Sequence, residues 1–182
     1  MDKEDIKIPE ERIAVLIGKN GEIKKKIEER MNVRLTIDSA EGDVTIESED
    51  SVAVFNTLPI IKAIARGFNP EIAELLFQED YMFDLLNIMD YISPTQKHMK
   101  RIKGRIIGRE GKARKMIEKI TDTNISVYGK TIGIIGKFTT VPVARHALEM
   151  LLEGAPHGNV FKWLENKQRE LMRREFEDKE PL

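Results

Sequence analysis

The sequence predicts an α+β protein that contains two copies of one βααββα unit, followed by a C-terminal helical extension. Two observations lead to this prediction. An internal repeat places two glycine pairs in one frame, and the hydrophobic pattern switches between the helix and strand periods in the same order in both copies. With 182 residues, the chain is long enough for two units of ~60 to 90 residues each.

The repeat places Gly18 on Gly108, an offset of 90 that needs no gap from Arg12 to Ile37. Chance does not easily produce two glycines three residues apart in the same frame, so we interpret the match as two copies of one unit. The identical positions in the first copy are Ile17, Gly18, Gly21, Lys25, Ile27 and Glu28, and in the second they are Ile107, Gly108, Gly111, Lys115, Ile117 and Glu118.

The first copy opens with a predicted strand over residues 6–8, and Pro9 starts a helix that the glycine pair interrupts. The remaining elements follow as a helix over 22–31, strands over 33–37 and 44–46, and a helix over much of 51–65. Pro59 lies inside this last helix and predicts a kink or a delayed start.

The second copy repeats this order after a short helix that ends at Phe77. Its predicted elements are a strand over 83–89, a helix from Ser93-Pro94 to 107, a helix over 113–120, strands over 125–128 and 131–135, and a helix over 140–152. A further amphipathic helix carries Val160, Trp163, Leu164 and Leu171, and we expect Trp163 to pack onto the second copy. A third glycine pair, Gly133 and Gly136, lies in an apolar strand and is interpreted as structural.

Composition excludes several classes of protein. At 41% hydrophobic and 34% charged residues, the chain is neither disordered nor collagen-like. It contains no cysteine, which excludes disulfides, thiolate nucleophiles and cysteine-based zinc sites. No apolar run reaches the ~18 to 20 residues of a membrane span, and no signal sequence opens the chain, so we expect a cytoplasmic protein without membrane contact. The three histidines are scattered, and no metal, cofactor or catalytic residue is predicted.

The net charge of −1 hides two oppositely charged segments. Residues 95–119 hold ten Lys and Arg against Glu110 and Glu118, a local charge of +8. Residues 38–90 hold twelve Asp and Glu against Lys62 and Arg66, a local charge of −10. Because a polyanion responds to the local field rather than to the total, the first segment favours nucleic-acid binding.

The glycine pairs predict phosphate contacts. A glycine pair between two short helices lets the backbone of another polymer come close, and the next helix directs its free N–H groups and positive dipole end to the same place. We therefore predict that these loops, with the basic residues around them, bind RNA. The predicted contacts are Gly18, Lys19, Asn20, Gly21, Lys24, Lys25, Arg101, Lys103, Arg105, Gly108, Arg109, Glu110, Gly111, Lys112, Arg114 and Lys115.

The sequences Ile17-Gly18-Lys19-Asn20-Gly21 and Ile107-Gly108-Arg109-Glu110-Gly111, in this order of elements, resemble type I KH domains. Such domains bind about four unpaired bases of single-stranded RNA. The resemblance implies a first KH domain over residues 6–67, an acidic linker over 68–80 and a second KH domain over 81–154. A C-terminal helix over 155–176 and a flexible tail over 177–182 complete the expected organisation.

With the segments 66–73 and 151–158, nearly the whole chain resembles the archaeal relatives of the Partner-of-Nob and Krr ribosome-assembly factors. This resemblance implies binding to the 3′ region of small-subunit rRNA during ribosome biogenesis. It also implies a Nob-type endonuclease or a translation initiation factor as protein partner, and a monomer. Eukaryotic members usually lack a working GxxG loop in the first domain, whereas this chain keeps one.

Two alternatives remain. A protein-interaction adaptor with little RNA affinity would use the acidic stretch to dock a basic partner. An enzyme finds less support, because a phosphate loop of the form GxxxxGK[ST] would need glycine at Ile106 and Ser or Thr at Ala113. Between Lys7 and Arg34 the first copy has eight basic residues against five acids, so we expect the second copy to supply most of the RNA affinity.

Overall fold

Each half of the chain folds into a three-stranded sheet that packs against helices. The computed structural model describes residues 2–92 and 95–177, and the chain divides into two compact units between Phe83 and Asp84. We call these units module 1 (residues 2–83) and module 2 (residues 84–177). The division falls three residues beyond the predicted end of the acidic linker at 80.

Module 1 follows the predicted order of elements. They are β1 (Asp2–Lys7), α1 (Glu10–Ile17), α2 (Glu22–Met31), β2 (Arg34–Asp38), β3 (Asp43–Ser48), α3 (Ser51–Ala65) and α4 (Pro70–Ala73), with a 3-10 turn over Glu74–Phe77. The strand order is β1-β3-β2, and β3 pairs antiparallel with both neighbours. Val44 and Ile46 of β3 are fully buried with Leu16, Ile27 and Leu35, so alternate residues of the central strand form the core.

The third helix of module 1 corrects one expectation. α3 starts at Ser51 and runs through Pro59, so the predicted delayed start is wrong. Asp50 caps the helix, since its carboxylate accepts a hydrogen bond from the Val52 amide at 2.9 Å. The cap at Asp50 and the burial of Val54, Ile60 and Ile61 stabilise the helix from Ser51 onward, two turns before the proline.

Module 2 repeats the arrangement. Its elements are β4 (Tyr81–Asn87), which spans the division, α5 (Gln96–Ile107), α6 (Lys112–Thr121), β5 (Asn124–Tyr128), β6 (Thr131–Lys137), α7 (Val141–Leu152) and α8 (His157–Glu177). The strand order is β4-β6-β5. The predicted helix start at Ser93-Pro94 lies outside the described residues, and α5 begins after Thr95, whose hydroxyl accepts from the His98 amide.

The third glycine pair lies in the buried central strand β6, which confirms its structural interpretation. A Cβ on Gly136 would come within 2.7 Å of Thr123 Cγ2, so the sheet needs a glycine there to pack. Trp163 of α8 packs on His146 of α7 with ring centroids 4.8 Å apart, while Val160 and Leu164 are fully buried. The predicted packing of this helix onto the second copy is thereby confirmed.

The predicted α+β architecture, two βααββα units and a C-terminal helix, is confirmed. α8 extends to Glu177, one residue into the segment predicted as a tail, and residues 178–182 lie outside the described part of the chain. Over residues 2–92 and 95–177, no helix is long and apolar enough to cross a membrane. The same residues contain no cluster of His, Asp and Glu able to hold a metal ion.

Candidate nucleic-acid interface

The two glycine loops have the same backbone conformation. Gly18 has φ 74° and ψ 176°, and Gly108 has φ 74° and ψ 175°. The next glycine of each pair, Gly21 or Gly111, is left-handed with φ 79° or 75°. Between them, Asn20 and Glu110 are also left-handed, both with φ 55°. Two sequences that differ at both central positions thus build one loop shape, which is evidence that the loop itself is the shared feature.

The two glycines of each loop meet different surroundings. A Cβ on Gly18 would lie 2.4 Å from Ile23 Cγ1, and one on Gly108 would lie 2.7 Å from the Ala113 amide nitrogen. The first glycine therefore lets the loop close onto its own following helix, a role that the sequence interpretation did not include. Among the described residues, a Cβ on Gly21 would meet nothing within 4 Å, and one on Gly111 would meet only Lys115 Cε at 3.7 Å, so the second glycine is the one that leaves space for a partner.

The loop tips carry exposed side chains. Lys19 and Asn20 are exposed in module 1, as are Arg109 and Glu110 in module 2. In the part of the chain that the structure describes, no side chain caps α2 at Gly21 or α6 at Gly111, so the positive end of each helix dipole faces an open loop. The Glu110 carboxylate lies 3.5 Å from Lys112 Nζ, an exposed ion pair that offsets its repulsion of a phosphate.

In each module, one predicted RNA contact lies beside a glutamate that joins its helix to the edge strand of the sheet. Lys24 Nζ is 3.9 Å from Glu28 Oε1, and Arg114 Nε is 3.7 Å from Glu118 Oε2. Glu28 accepts the Leu35 amide of β2 at 2.8 Å, and Glu118 accepts the Ile125 amide of β5 at 2.8 Å. A carboxylate thereby ties the helix after each loop to the sheet edge and holds a half-buried cation beside it.

Arg114 retains hydrogen-bonding capacity. Its Nε is buried and makes no hydrogen bond within the described residues, and its Nη1 lies 3.5 Å from the Ile125 carbonyl oxygen. Lys25 and Lys115 occupy the next position of each helix and are exposed; Lys25 lies 3.8 Å from Glu29.

The guanidinium of Arg105, a predicted RNA contact, binds backbone carbonyls within module 2. Its guanidinium donates to the Ala155 carbonyl at 2.6 Å and to the Leu151 carbonyl at 3.4 Å, so it ties α5 to the turn between α7 and α8. His157 Nε2 lies 2.7 Å from the Arg105 carbonyl oxygen at the C-terminal turn of α5, where it donates a hydrogen bond. We therefore assign Arg105 to the packing of module 2.

Module 1 contains an equivalent arginine clamp, an arginine that binds two backbone carbonyls at the end of the third helix of its unit. Arg12 donates to the carbonyls of Ile64 and Phe68 at 2.8 and 2.6 Å. Under the repeat offset Arg12 aligns with Ile102, so an arginine one turn away in α5 performs this task in the second copy. Charge alone does not distinguish such a packing arginine from an RNA contact.

Arg101 and Lys103 lie on α5, Arg101 exposed and Lys103 half-buried. Lys103 borders a cleft of about 630 Å³ between α5 and the β5–β6 turn. The sequence interpretation missed two lysines there: Lys100 on the same helix face, and Lys130, which it treated only as part of a turn. The i, i+3 spacing of Lys100 and Lys103 was the available signal, whereas the position of Lys130 depends on the hairpin.

A smaller cleft of about 260 Å³ opens beside Gly108, between α6 and α8. Arg109 and Lys112 line it together with the apolar side chains of Met116 and Phe161. In module 1 the corresponding helices meet through an ion pair, Lys26 to Glu74 at 2.5 Å. The two loops therefore have similar backbones and different flanks.

Both halves of the chain match models of KH domains. The family described as eukaryotic type KH-domain (KH-domain type I) matches residues 82–169, and the family described as KH domain matches residues 3–64. KH domain-containing protein MJ0443 of Methanocaldococcus jannaschii is 46% identical over 96% of this chain and 78% of its own length.

Two further relatives carry more specific names. The crystal structure of Dim2p from Pyrococcus horikoshii has 44% identity and a TM-score of 0.84 over 91% of this chain and 99% of its own. The a/eIF2alpha-aDim2p-rRNA complex from the same organism matches with a TM-score of 0.85 at 43% identity, over 93% of this chain and 95% of its own. The pre-rRNA-processing protein PNO1 of Debaryomyces hansenii is 32% identical over 75% of this chain, which spans about half of the length of that protein.

Proposed function

Because the chain belongs to the archaeal family of paired KH-domain proteins related to the pre-rRNA-processing factors PNO1 and Dim2, we propose that it binds single-stranded RNA during rRNA processing. The observation that carries the proposal is the repeated loop. In both modules a glycine pair with left-handed residues presents an exposed cation beside an uncapped helix start.

We expect module 2 to supply most of the affinity. Besides Arg105, α5 carries four Lys and Arg and no acidic residue, whereas α1 opens with Glu10 and Glu11. Within the described residues, Lys115 has no carboxylate at ion-pair distance, while Lys25 at the equivalent position pairs with Glu29 of its own helix. Unpaired cations are the ones free to neutralise phosphates.

The more specific parts of the proposal are the RNA region and the protein partner. We propose the 3′ region of small-subunit rRNA as the target, and a translation initiation factor or a Nob-type endonuclease as partner. The complex of Dim2p with a/eIF2alpha and rRNA supports a ribosomal RNA and an initiation factor. A cytoplasmic location and a monomeric state stay predictions, and the proposal assigns no catalysis to this chain.

The proposal predicts unequal effects of two loop variants. In R109D/E110D two carboxylates face the phosphate, and we expect most of the affinity for single-stranded RNA to disappear, at least a tenfold loss, whereas K19D/N20D should cost less. Aspartate tolerates the left-handed conformation of positions 20 and 110, so both variants should fold. Fluorescence anisotropy with labelled rRNA fragments at fixed salt measures the affinities.

Arg173→Asp provides the charge-matched control, since it removes two charges as R109D/E110D does. Arg173 is exposed and lies about 18 Å along α8 from Phe161 at the loop cleft. Equal affinity in the wild type and both loop variants would refute the loop assignment. Crosslinking to total RNA followed by sequencing identifies the bound region, and reads without enrichment at the 3′ end of small-subunit rRNA would contradict the proposed target.

A further inference from the structure

The cleft beside Gly108, between α6 and α8, has an apolar wall next to positive charge. Met116 of α6, 42% exposed, and the half-buried Phe161 of α8 form the apolar wall. The exposed side chains of Arg109 and Lys112 line the same cleft. An aromatic ring and two cations therefore lie together at the glycine loop to which the proposed function assigns a phosphate.

One face of each helix borders the cleft. Lys112 and Met116 are four residues apart in α6 and share a face, as His157 and Phe161 do in α8. His157 Nε2 lies 2.7 Å from the Arg105 carbonyl oxygen, and this contact fixes the imidazole at the end of α5. The Phe161 ring lies against the imidazole, with centroids 6.0 Å apart and an angle of 50° between the planes. The imidazole therefore positions the phenyl ring at the cleft.

The internal repeat identifies the residues of module 1 that correspond to the apolar wall. The glycine loops align with an offset of 90, which places Lys26 on Met116. After the third helix of each module, the carbonyls bound by the arginine clamps align with an offset of 87. These carbonyls belong to Ile64 and Phe68 in module 1 and to Leu151 and Ala155 in module 2. The second offset places Glu74 on Phe161.

The corresponding residues of module 1 form a charged pair. Lys26 Nζ lies 2.5 Å from Glu74 Oε2, so a salt bridge joins the two helices where module 2 has a methionine and a phenyl ring. The offset of 90 also places Glu22 on Lys112, so an exposed acid in module 1 takes the place of a cation in module 2. Both differences favour a ligand in module 2 that is apolar in one part and anionic in another.

The residue that lies against the first glycine of the loop also differs between the modules. Ile23 lies against Gly18 in module 1, and its counterpart Ala113 lies against Gly108 in module 2. The shorter alanine side chain leaves room beside the loop, and Ala113 lines the cleft there. The apolar wall is therefore continuous with the glycine loop in module 2, where an isoleucine would narrow the cleft.

We propose that this cleft binds one further nucleotide of the RNA strand held by the second glycine loop, with its base stacked on Phe161 and its phosphate beside Arg109 and Lys112. Stacking on an aromatic side chain accepts any base, because every base has a π face. The inference rests on the proposed RNA binding and extends the strand beyond the about four bases that a KH domain holds. It gives α8, which lies outside the βααββα unit, a role in RNA binding.

Three variants of the full chain test the stacking, with a labelled single-stranded fragment of small-subunit rRNA as the probe. M116K/F161E installs the charged pair of module 1 without a change in net charge, and Phe161→Leu keeps an apolar side chain without a ring. Anisotropy at fixed salt should show a loss of affinity of about fivefold or more for both. Phe161→Tyr retains a ring and is the matched control, which should bind within about twofold of the wild type.

Removal of single bases from the RNA distinguishes stacking from a change in protein stability. An abasic nucleotide is moved along the fragment, and at one position the wild type and Phe161→Leu should bind equally, because the stacked base is then missing. Equal affinity of these two proteins for the intact fragment, or an equal loss at every abasic position, overturns the inference. If R109D/E110D still abolishes binding, the loop assignment stands without the cleft. A wild type that binds no fragment overturns both proposals.

Discussion

The two glycines of each loop have different structural roles. Gly108 has φ 74° and ψ 175°, a region that is essentially restricted to glycine, and a Cβ there would clash with Ala113. Gly111 is left-handed, and a Cβ there would meet only the end of the Lys115 side chain at 3.7 Å. Stability and RNA access therefore depend on different members of the pair.

This difference predicts that two alanine variants rank in opposite orders for loss of stability and for loss of RNA affinity. Gly108→Ala should cost about 1 to 3 kcal/mol from the backbone alone, with the clash in addition. Gly111→Ala should cost about 1 to 2 kcal/mol and place a methyl group in the path of the RNA backbone. Urea denaturation should rank Gly108→Ala as the less stable variant. Anisotropy on the folded proteins should show the larger loss of RNA affinity for Gly111→Ala, and a reversal of both orders would contradict these roles.

Arg105 shows how far residue type alone determines a role. It lies in the most basic segment of the chain, yet its guanidinium is engaged by two carbonyls of the α7–α8 turn. Helix ends leave unpaired carbonyls, and an arginine that satisfies them looks the same in sequence as one that contacts phosphate.

At the scale of the element, a glutamate ties each helix after the glycine loop to the neighbouring edge strand. We expect Glu118→Ala to lower the free energy of unfolding by about 1 to 3 kcal/mol, because the Ile125 amide loses a charged acceptor and Arg114 loses its ion pair. Glu29→Ala removes a glutamate that is 68% exposed and should change stability by about 0.5 kcal/mol or less. Urea denaturation measures both, and equal midpoints would show that the tie does not contribute.

A hydrogen-bond network around Glu149 in module 2 predicts that the free energy of unfolding depends on pH. Glu149 accepts hydrogen bonds from the Tyr91 hydroxyl at 3.0 Å and from Arg145 Nε at 2.9 Å, and Arg145 also binds Asp84. The Asp84 carboxylate raises the pKa of Arg145, so this cation stays charged throughout. Burial and the neighbouring Glu149 carboxylate raise the pKa of Tyr91 above its ordinary value of 10.0.

The direction of the pH effect follows from this shift. Because the folded protein holds the Tyr91 phenol neutral, its contribution is complete below the unfolded pKa of 10.0 and is lost as pH rises through the higher folded pKa. The free energy of unfolding of the wild type should therefore fall more steeply above about pH 10 than that of Tyr91→Phe. Urea denaturation at pH values from about 8 to 11 compares the two proteins. An equal fall of the unfolding free energy with pH in both would contradict the raised pKa of Tyr91.

For the whole molecule, the local distribution of charge predicts the salt dependence of RNA binding. The chain has a net charge of −1, but residues 95–119 carry +8. Each phosphate that a cation neutralises on a single strand should contribute ~0.7 to the slope of log K against log[salt]. We expect a clear negative slope for the wild type and a shallower one for R109D/E110D. A flat dependence would favour the protein-interaction adaptor over the RNA-binding protein.

The order of elements, the two loops and the concentration of positive charge in module 2 follow from the sequence by itself, because hydrophobic period, glycine spacing and charge are local properties. Tertiary structure decided the rest. It assigned Arg105 to a clamp, brought Lys130 to the cleft that Lys103 borders, and left the Phe55 side chain exposed. These roles depend on which residues distant in sequence become neighbours, and no local pattern records that.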